Sequence, residues 1–318
     1  MKQSVSIILA LVVVVLLVFV PWVASDVMMQ FAIDALLLAV LAQAWNILGG
    51  FTGYVSFGNS VFYGLGTYGT AIAMTNKYMQ LPFGVGIVLG IVLAVLCALV
   101  IGLPILRLRG PYFAIATLGL SAAMGAIVSN IPIAGSNIGL VLPLIRADTM
   151  FYELSLALLV ACTLTVLWIS KSRFGMGLVA IREDEDAAGT MGINTTAFKI
   201  TALVLSALFT AVAGGIHAYW ISFIDPASAF DPTLNVRMVI MAVFGGPGTV
   251  FGPLVGSFIL SAVYEYLASS ISTAAALLFG IVIVLAVIFM PRGLANMIGG
   301  VRGKGPRYFL QNIRENRL

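Results

Sequence analysis

An all-α, polytopic membrane protein is predicted by three observations. The chain is 61% hydrophobic and only 9% charged, its mean hydropathy is +1.11, and its apolar residues come in long blocks. A soluble domain carries about a quarter charged residues, whereas a block of about 20 apolar residues crosses a bilayer core of roughly 30 Å. In hydrocarbon every backbone N–H and C=O must be paired internally, so the blocks should be helices. Non-helical backbone is tolerated there only where it is buried or lines a cavity.

Ten spans are expected, at 5–24, 31–49, 56–75, 83–106, 112–129, 152–170, 200–221, 236–250, 253–270 and 273–290. The first follows Met1-Lys2 and is longer than the apolar run of a signal peptide. The "PWVASD" after it offers no clean small-x-small cleavage site, so it is read as a span. Cys97 and Cys162 fall inside spans and are read as packing residues. With ten spans both termini share a side. If that side is cytoplasmic, 13 of the 16 Lys and Arg lie inside and only Lys77, Arg146 and Arg237 outside, as the positive-inside rule requires. The net charge of +4 then follows from topology, and no nucleic-acid partner is implied.

No linker divides the chain, so residues 1–318 form one transmembrane domain. Its longest polar insertions are 130–151, placed outside, and 171–199, placed in the cytoplasm; the tail 291–318 is basic and suits anionic lipid.

An internal echo relates "ILGGFTGYVSFGNSVFYGLG" (Ile47–Gly66) to "VFGGPGTVFGPLVG" (Val243–Gly256). Each ends one span on Gly-Gly and starts the next with an aromatic-Gly pair. Interrupted helices in corresponding places point to a transporter's substrate path, although Gly also serves simple close helix packing. The path reading places Gly50, Gly53, Tyr54, Ser56, Gly58, Asn59, Gly245, Gly246, Gly248 and Thr249 near a central axis.

Enzyme chemistry finds little support. His217 is the chain's one His and is expected to bond a neighbouring helix; no metal site or catalytic set is suggested. "GGVRGKGP" (Gly299–Pro306) has neither the earlier Gly nor the Ser or Thr of a phosphate loop. Asp34 and Glu265 are the ionisable residues within spans and so the default functional candidates. They read as two isolated acids, with Glu265 free to pair with His217 or a tyrosine. Two such acids make a poor proton relay.

Four consecutive acids, Glu183, Asp184, Glu185 and Asp186, make up a third of the chain's 12 carboxylates. They open "DAAGTMG" (Asp186–Gly192), an acid-Ala-Ala-x-x-x-Gly pattern. The acids are expected in the first turn of a short helix, where they favour the dipole. Ala187 and Ala188 would let it sit deep in another protein's groove, and Gly192 would end it in a left-handed conformation.

These stretches, with "RGPYFAIATLGLS", "GSNIGL", "SRFGMGLVAIREDEDAAGTMGIN" and "FKITALVLSALFTAVAGGIHA", resemble the membrane permeases of ABC importers, specifically the LivM-type subunit of branched-chain amino acid importers. The resemblance covers nearly the whole chain. It implies that Arg182 to Gly192, with Arg182, Glu183, Asp186, Ala187, Ala188 and Gly192 foremost, form a coupling segment that docks on an ATPase. Asp186 stands where Glu is usual. It also implies a homologous second permease, two ATP-binding subunits and an extracytoplasmic substrate-binding protein, assembled in a prokaryotic cytoplasmic membrane. ATP and Mg would be bound by the ATPases, and no cofactor by this chain. Some branches of the family carry urea and short amides, which stands as the alternative; a secondary carrier or a lipid enzyme would have no use for the acid-Ala-Ala segment. Spans offering apolar walls with Ser, Thr, Asn and Tyr suit a neutral solute with an aliphatic side chain, namely leucine, isoleucine or valine.

Overall fold

The apolar blocks fold as helices in a computed structural model that describes residues 17–75, 80–145 and 147–270, with a few single positions beyond. Eight of the expected spans are met by α1 (Asp26–Trp45), α2 (Asn59–Thr75), α3 (Phe83–Ile105), α4 (Pro111–Val128), α5 (Asp148–Lys171), α8 (Thr195–Ile221), α9 (Pro232–Gly245) and α10 (Gly252–Ser270). Between α5 and α8 lie α6 (Arg173–Glu183) and α7 (Glu185–Thr190). The expected spans 5–24 and 273–290 fall largely outside the described residues, as does the tail 291–318.

The helices start where local chemistry lets them. Ser25 accepts from the Met28 N–H at the head of α1, with Asp26 in the first turn, and Asn194 accepts from the Ala197 N–H at the head of α8. Five of the described helices are long and apolar enough to cross a membrane, namely α1 with its continuation to Gly50, α3, α4, α5 and α8. Of α1's most apolar window 67% is buried, against 22% for α3 and for α4. α1 is therefore the central helix, touching α5, α8, α9 and α10. α3 and α4 turn apolar side chains such as Val92, Leu96, Val100 and Ile115 outward.

α9 has only 14 residues, about 21 Å at 1.5 Å per residue, which is short of a full crossing. It is followed directly by the turn 246–251 and by α10, in keeping with an interrupted helix. At one end of the bundle, β1 (Leu140–Val141) pairs antiparallel with β2 (Phe223–Ile224), and the Phe230 ring stacks on Tyr68 at 5.9 Å. At the other end gather the C-termini of α1, α3 and α5, the N-terminus of α8, and α6 and α7. Arg107, Arg109, Lys171, Arg173, Arg182 and Lys199 all lie there.

α2, α3 and α8 meet backbone to backbone. A Cβ on Gly66 would fall 2.1 Å from the Ala211 carbonyl oxygen, and one on Gly90 would fall 2.7 Å from the Gly66 oxygen. Small residues let membrane helices approach this closely. Gly66→Val should therefore destabilise the bundle by roughly 1–3 kcal/mol through overpacking. Gly84→Ala, where nothing lies within 4 Å, should be neutral. Thermal unfolding of the purified protein in detergent separates the two.

Candidate coupling and translocation site

α1 does not simply stop. It widens into a π-helical turn over Asn46–Gly50, a geometry that often marks functional sites. After Phe51 and Thr52 the chain runs non-helical from 53 to 58 before α2 begins. Gly53 sits at φ +74°, a conformation that favours glycine. The backbone groups freed by this break are met by side chains. The Trp45 indole donates to the Ser56 carbonyl at 2.8 Å, and the Phe57 N–H donates to Thr117 Oγ1 at 3.0 Å. Ser121 Oγ donates to the Phe57 carbonyl at 3.0 Å, and the Ser60 N–H donates to Asn235 Oδ1 at 2.7 Å. Asn59 Nδ2 donates to Ser206 Oγ at 3.1 Å.

The second interruption, 246–251, lies against the first. Asn46 reads it with both ends of its amide: Oδ1 accepts from the Gly248 N–H at 2.8 Å, and Nδ2 donates to the Thr249 carbonyl at 2.9 Å. Gln43 Nε2 donates to the Val250 carbonyl at 2.9 Å. A Cβ on Gly50 would lie 2.5 Å from the Gly248 nitrogen, so only glycine permits the approach. The two echoed stretches, 47–66 and 243–256 in sequence, thus meet in space. Gly50, Ser56, Gly58, Asn59, Gly245 and Gly246 are buried; Tyr54, Gly248 and Thr249 are half-buried; Gly53 is exposed.

α6 and α7 form an elbow at that same end. The four acids do not share one first turn as expected. Glu183 ends α6, Asp184 is extended and caps α7, and Glu185 and Asp186 occupy α7's first turn. The reason is that Asp184 Oδ1 accepts from the Asp186 and Ala187 N–H groups, both at 2.9 Å, which requires a non-helical cap residue. Gly192 follows at φ +88°, as expected. Ala188 is 4% exposed, so it faces the chain's own interior. Ala187, Gly189 and Met191 form the outward face instead.

The elbow is tied to the break. Arg182 donates to the Gly50 carbonyl at 3.3 Å and pairs with Glu183 at 2.9 Å. Glu185 turns inward, accepting from Lys199 Nζ at 2.6 Å and from the Tyr54 hydroxyl. Asp186 binds Arg109 through both oxygens at 2.8 and 2.9 Å. Burial alone would raise the Glu185 pKa. The hydrogen bonds from Lys199 and Tyr54, with the charges of Lys199 and Arg109, outweigh it and hold the carboxyl below its usual value. Its contribution is thus complete above the ordinary carboxylate range and is lost as pH falls through the lowered value.

Lys199, Asn46, Gln43 and Asn235 were not singled out by the sequence reading. The signal for Lys199 was a lysine one turn into an apolar helix; amides in spans carry no comparable mark. Arg237 stands in the second turn of α9, where its guanidinium lies 5.4 Å from the Tyr264 ring centre. One expectation about charge needs correction. Asp34 and Glu265 are not isolated, because Asp34 lies within electrostatic reach of both Arg237 and Glu265. Three helices that pack together bring them there. His217 pairs with the Tyr63 hydroxyl through Nδ1, not with Glu265. Among the described residues no three His, Cys, Asp or Glu side chains are grouped to hold a metal.

Asp184→Ala removes the cap of α7, at a cost of about 1 kcal/mol. Hydrogen exchange at the Asp186 and Ala187 amides should quicken by several-fold, while amides within α8 stay unchanged. Equal protection in both proteins would show that the cap is dispensable.

Residues 27–288 match the family described as the branched-chain amino acid transport system permease component. The chain is 26% identical over 311 residues to the high-affinity branched-chain amino acid transport system permease protein LivM of Salmonella typhimurium, covering 87% of this chain and 72% of the relative. LivM of Escherichia coli K12 gives the same identity and coverage. A protein of Methanocaldococcus jannaschii named "Probable branched-chain amino acid transport permease protein LivH" is 30% identical over 126 residues, 38% of this chain and 39% of its own. No solved structure matches the chain. With its helices, paired interruptions and a family match over most of its length, this chain belongs to the branched-chain amino acid transport permease family as a LivM-type, multi-pass protein of the cytoplasmic membrane.

Proposed function

We propose that this chain forms part of the translocation path of an ABC importer for leucine, isoleucine and valine, driven by ATPases that dock on α6 and α7. The observation that carries the reading is the direct linkage, through Arg182 and Glu185, of an exposed elbow to the interrupted helix at 50–58. A segment that only decorated the surface would need no bond to the break. Ten spans with both termini cytoplasmic accord with the basic residues gathered at the elbow's end of the bundle. In this reading residues 1–318 are one permease domain, 171–199 its coupling segment and 291–318 a basic tail. The working complex adds a second permease, two ATP-binding subunits that hold ATP and Mg, and an extracytoplasmic binding protein, as the relatives' description as permease components of transport systems suggests.

The substrate follows from charge as well as from apolar walls. Asp34, Arg237 and Glu265 place both signs of charge on the three packed helices α1, α9 and α10. Ionisable groups at membrane depth are costly and mark solute pathways. Mixed charge suits the ammonium and carboxylate of an amino acid, whereas urea or another neutral amide has no use for it.

Reconstituted with its partners, the complex should take up leucine in an ATP-dependent way that excess valine suppresses and excess lysine does not. Competition by urea with no leucine uptake would leave only the importer class standing. Docking is probed at Ala187, because an arginine at Ala188 would disrupt the chain's own interior. Ala187→Arg should cut ATPase co-purification and uptake on the order of tenfold while leaving membrane insertion intact. Unchanged uptake would remove α7 from the ATPase contact.

A further inference from the structure

Lys199 is 3% exposed and carries three donors on its ammonium. Each has an acceptor on a different element: Glu185 Oε1 of α7 at 2.6 Å, the Tyr54 hydroxyl of the helix break at 3.0 Å, and the Leu106 carbonyl at the end of α3 at 2.9 Å. The Tyr54 hydroxyl in turn donates to Glu185 Oε2, closing a ring of three side chains. The ammonium also lies 4.5 Å from the centre of the Tyr54 ring. No neighbouring tie is built this way. The Arg109–Asp186 pair has side chains 58% and 76% exposed, so solvent and salt weaken it.

We propose that Lys199 is the positioning residue that transmits movement of the coupling segment to the helix break at Tyr54, through the closed Lys199–Glu185–Tyr54 ring. The proposal rests on the reading of α6 and α7 as the ATPase contact and adds the residue through which the contact acts. The physics is one of intolerance. If α7 moved away alone, a buried ammonium and a carboxylate would be left unpaired, and the low local dielectric makes that state costly. If Tyr54 moved alone, both charges would lose the hydroxyl between them. Displacement of α7 therefore carries Tyr54 and the base of α8 with it as one body. Glu185 thus differs in role from its neighbours Glu183 and Asp186: it turns inward onto Lys199 and Tyr54 while they are exposed.

The test uses the full importer in proteoliposomes and reads ATP hydrolysed per leucine taken up, alongside co-purification of the ATPases. Lys199→Met keeps the side chain's length but removes its charge and donors. It should raise the ATP cost per leucine on the order of tenfold with the ATPases still bound. Lys199→Arg, which restores charge and donors, should recover most of the coupling. An unchanged ratio in an assembled Lys199→Met complex overturns the proposal. If Lys199→Met does not assemble, Tyr54→Phe decides, since it opens the ring and keeps the ion pair: a raised ratio supports the assignment and an unchanged ratio overturns it. Failure of the unaltered chain to bind any ATPase is a different result, which sinks the coupling reading itself.

Discussion

A helix interrupted inside an apolar bundle leaves backbone groups that hydrocarbon cannot satisfy, and much of this structure is arranged to meet that demand. The break after α1 exposes the peptide groups of Ser56, Phe57 and Ser60. Trp45, Thr117, Ser121 and Asn235 reach them from α1, α4 and α9. Each of these side chains needs its own helix in a set position, so the break fixes how α1, α2, α4 and α9 sit together. Asn235 shows the cost of error best. It is fully buried and bonds Ser60 through both ends of its amide, so losing it would strand both the N–H and the hydroxyl of Ser60 inside the bundle.

The same demand explains why the two interruptions lie together. Neither 53–58 nor 246–251 pairs its backbone within a regular helix, and Asn46 and Gln43 serve the second from the helix that carries the first. Gly50 and Gly248 allow the contact because neither brings a side chain between the two backbones. Two weak places sharing one set of bonds can move together without leaving either unsatisfied. A regular helix pair, with all its bonds internal, would gain nothing from such contact. The elbow of α6 and α7 enters this arrangement at Gly50 through Arg182 and at Tyr54 through Glu185.

Peripheral and central helices obey different rules. α3 and α4 show apolar side chains outward, and α3 holds its inner contacts with Gly86, Gly90, Ala94, Ala98 and Gly102, because close approach supplies dispersion where lipid removes any hydrophobic drive. α1 is buried on every side from Ala35 to Gly50 and carries there Gln43 and Asn46, whose amide nitrogens donate to the Val250 and Thr249 carbonyls. Asp34, one residue before that buried stretch, is exposed, which is where a charge on a central helix can still meet water or a solute.

The sequence by itself determined the class and most of the outline. Long apolar blocks can only be helices in a bilayer, so eight expected spans appear as helices, and the paired Gly-Gly stretches were legible because glycine marks backbone that side chains cannot occupy. The acid-Ala-Ala segment was legible as a short helix with Gly192 at its end. What only the tertiary structure decided was which groups meet. Asp34 lies more than 200 residues before Arg237 and Glu265 along the chain, and nothing local says that α1, α9 and α10 pack together. Ala188 points inward rather than toward a partner because α7 starts at the Asp184 cap, and a cap chosen by hydrogen bonds to Asp186 and Ala187 sets the helix's rotation. Lys199 looked like one more cytoplasmic charge. Its meaning comes from Tyr54, Leu106 and Glu185 converging on it from three other elements, and such convergence is a property of the packed chain, since it depends on distances that sequence separation does not contain.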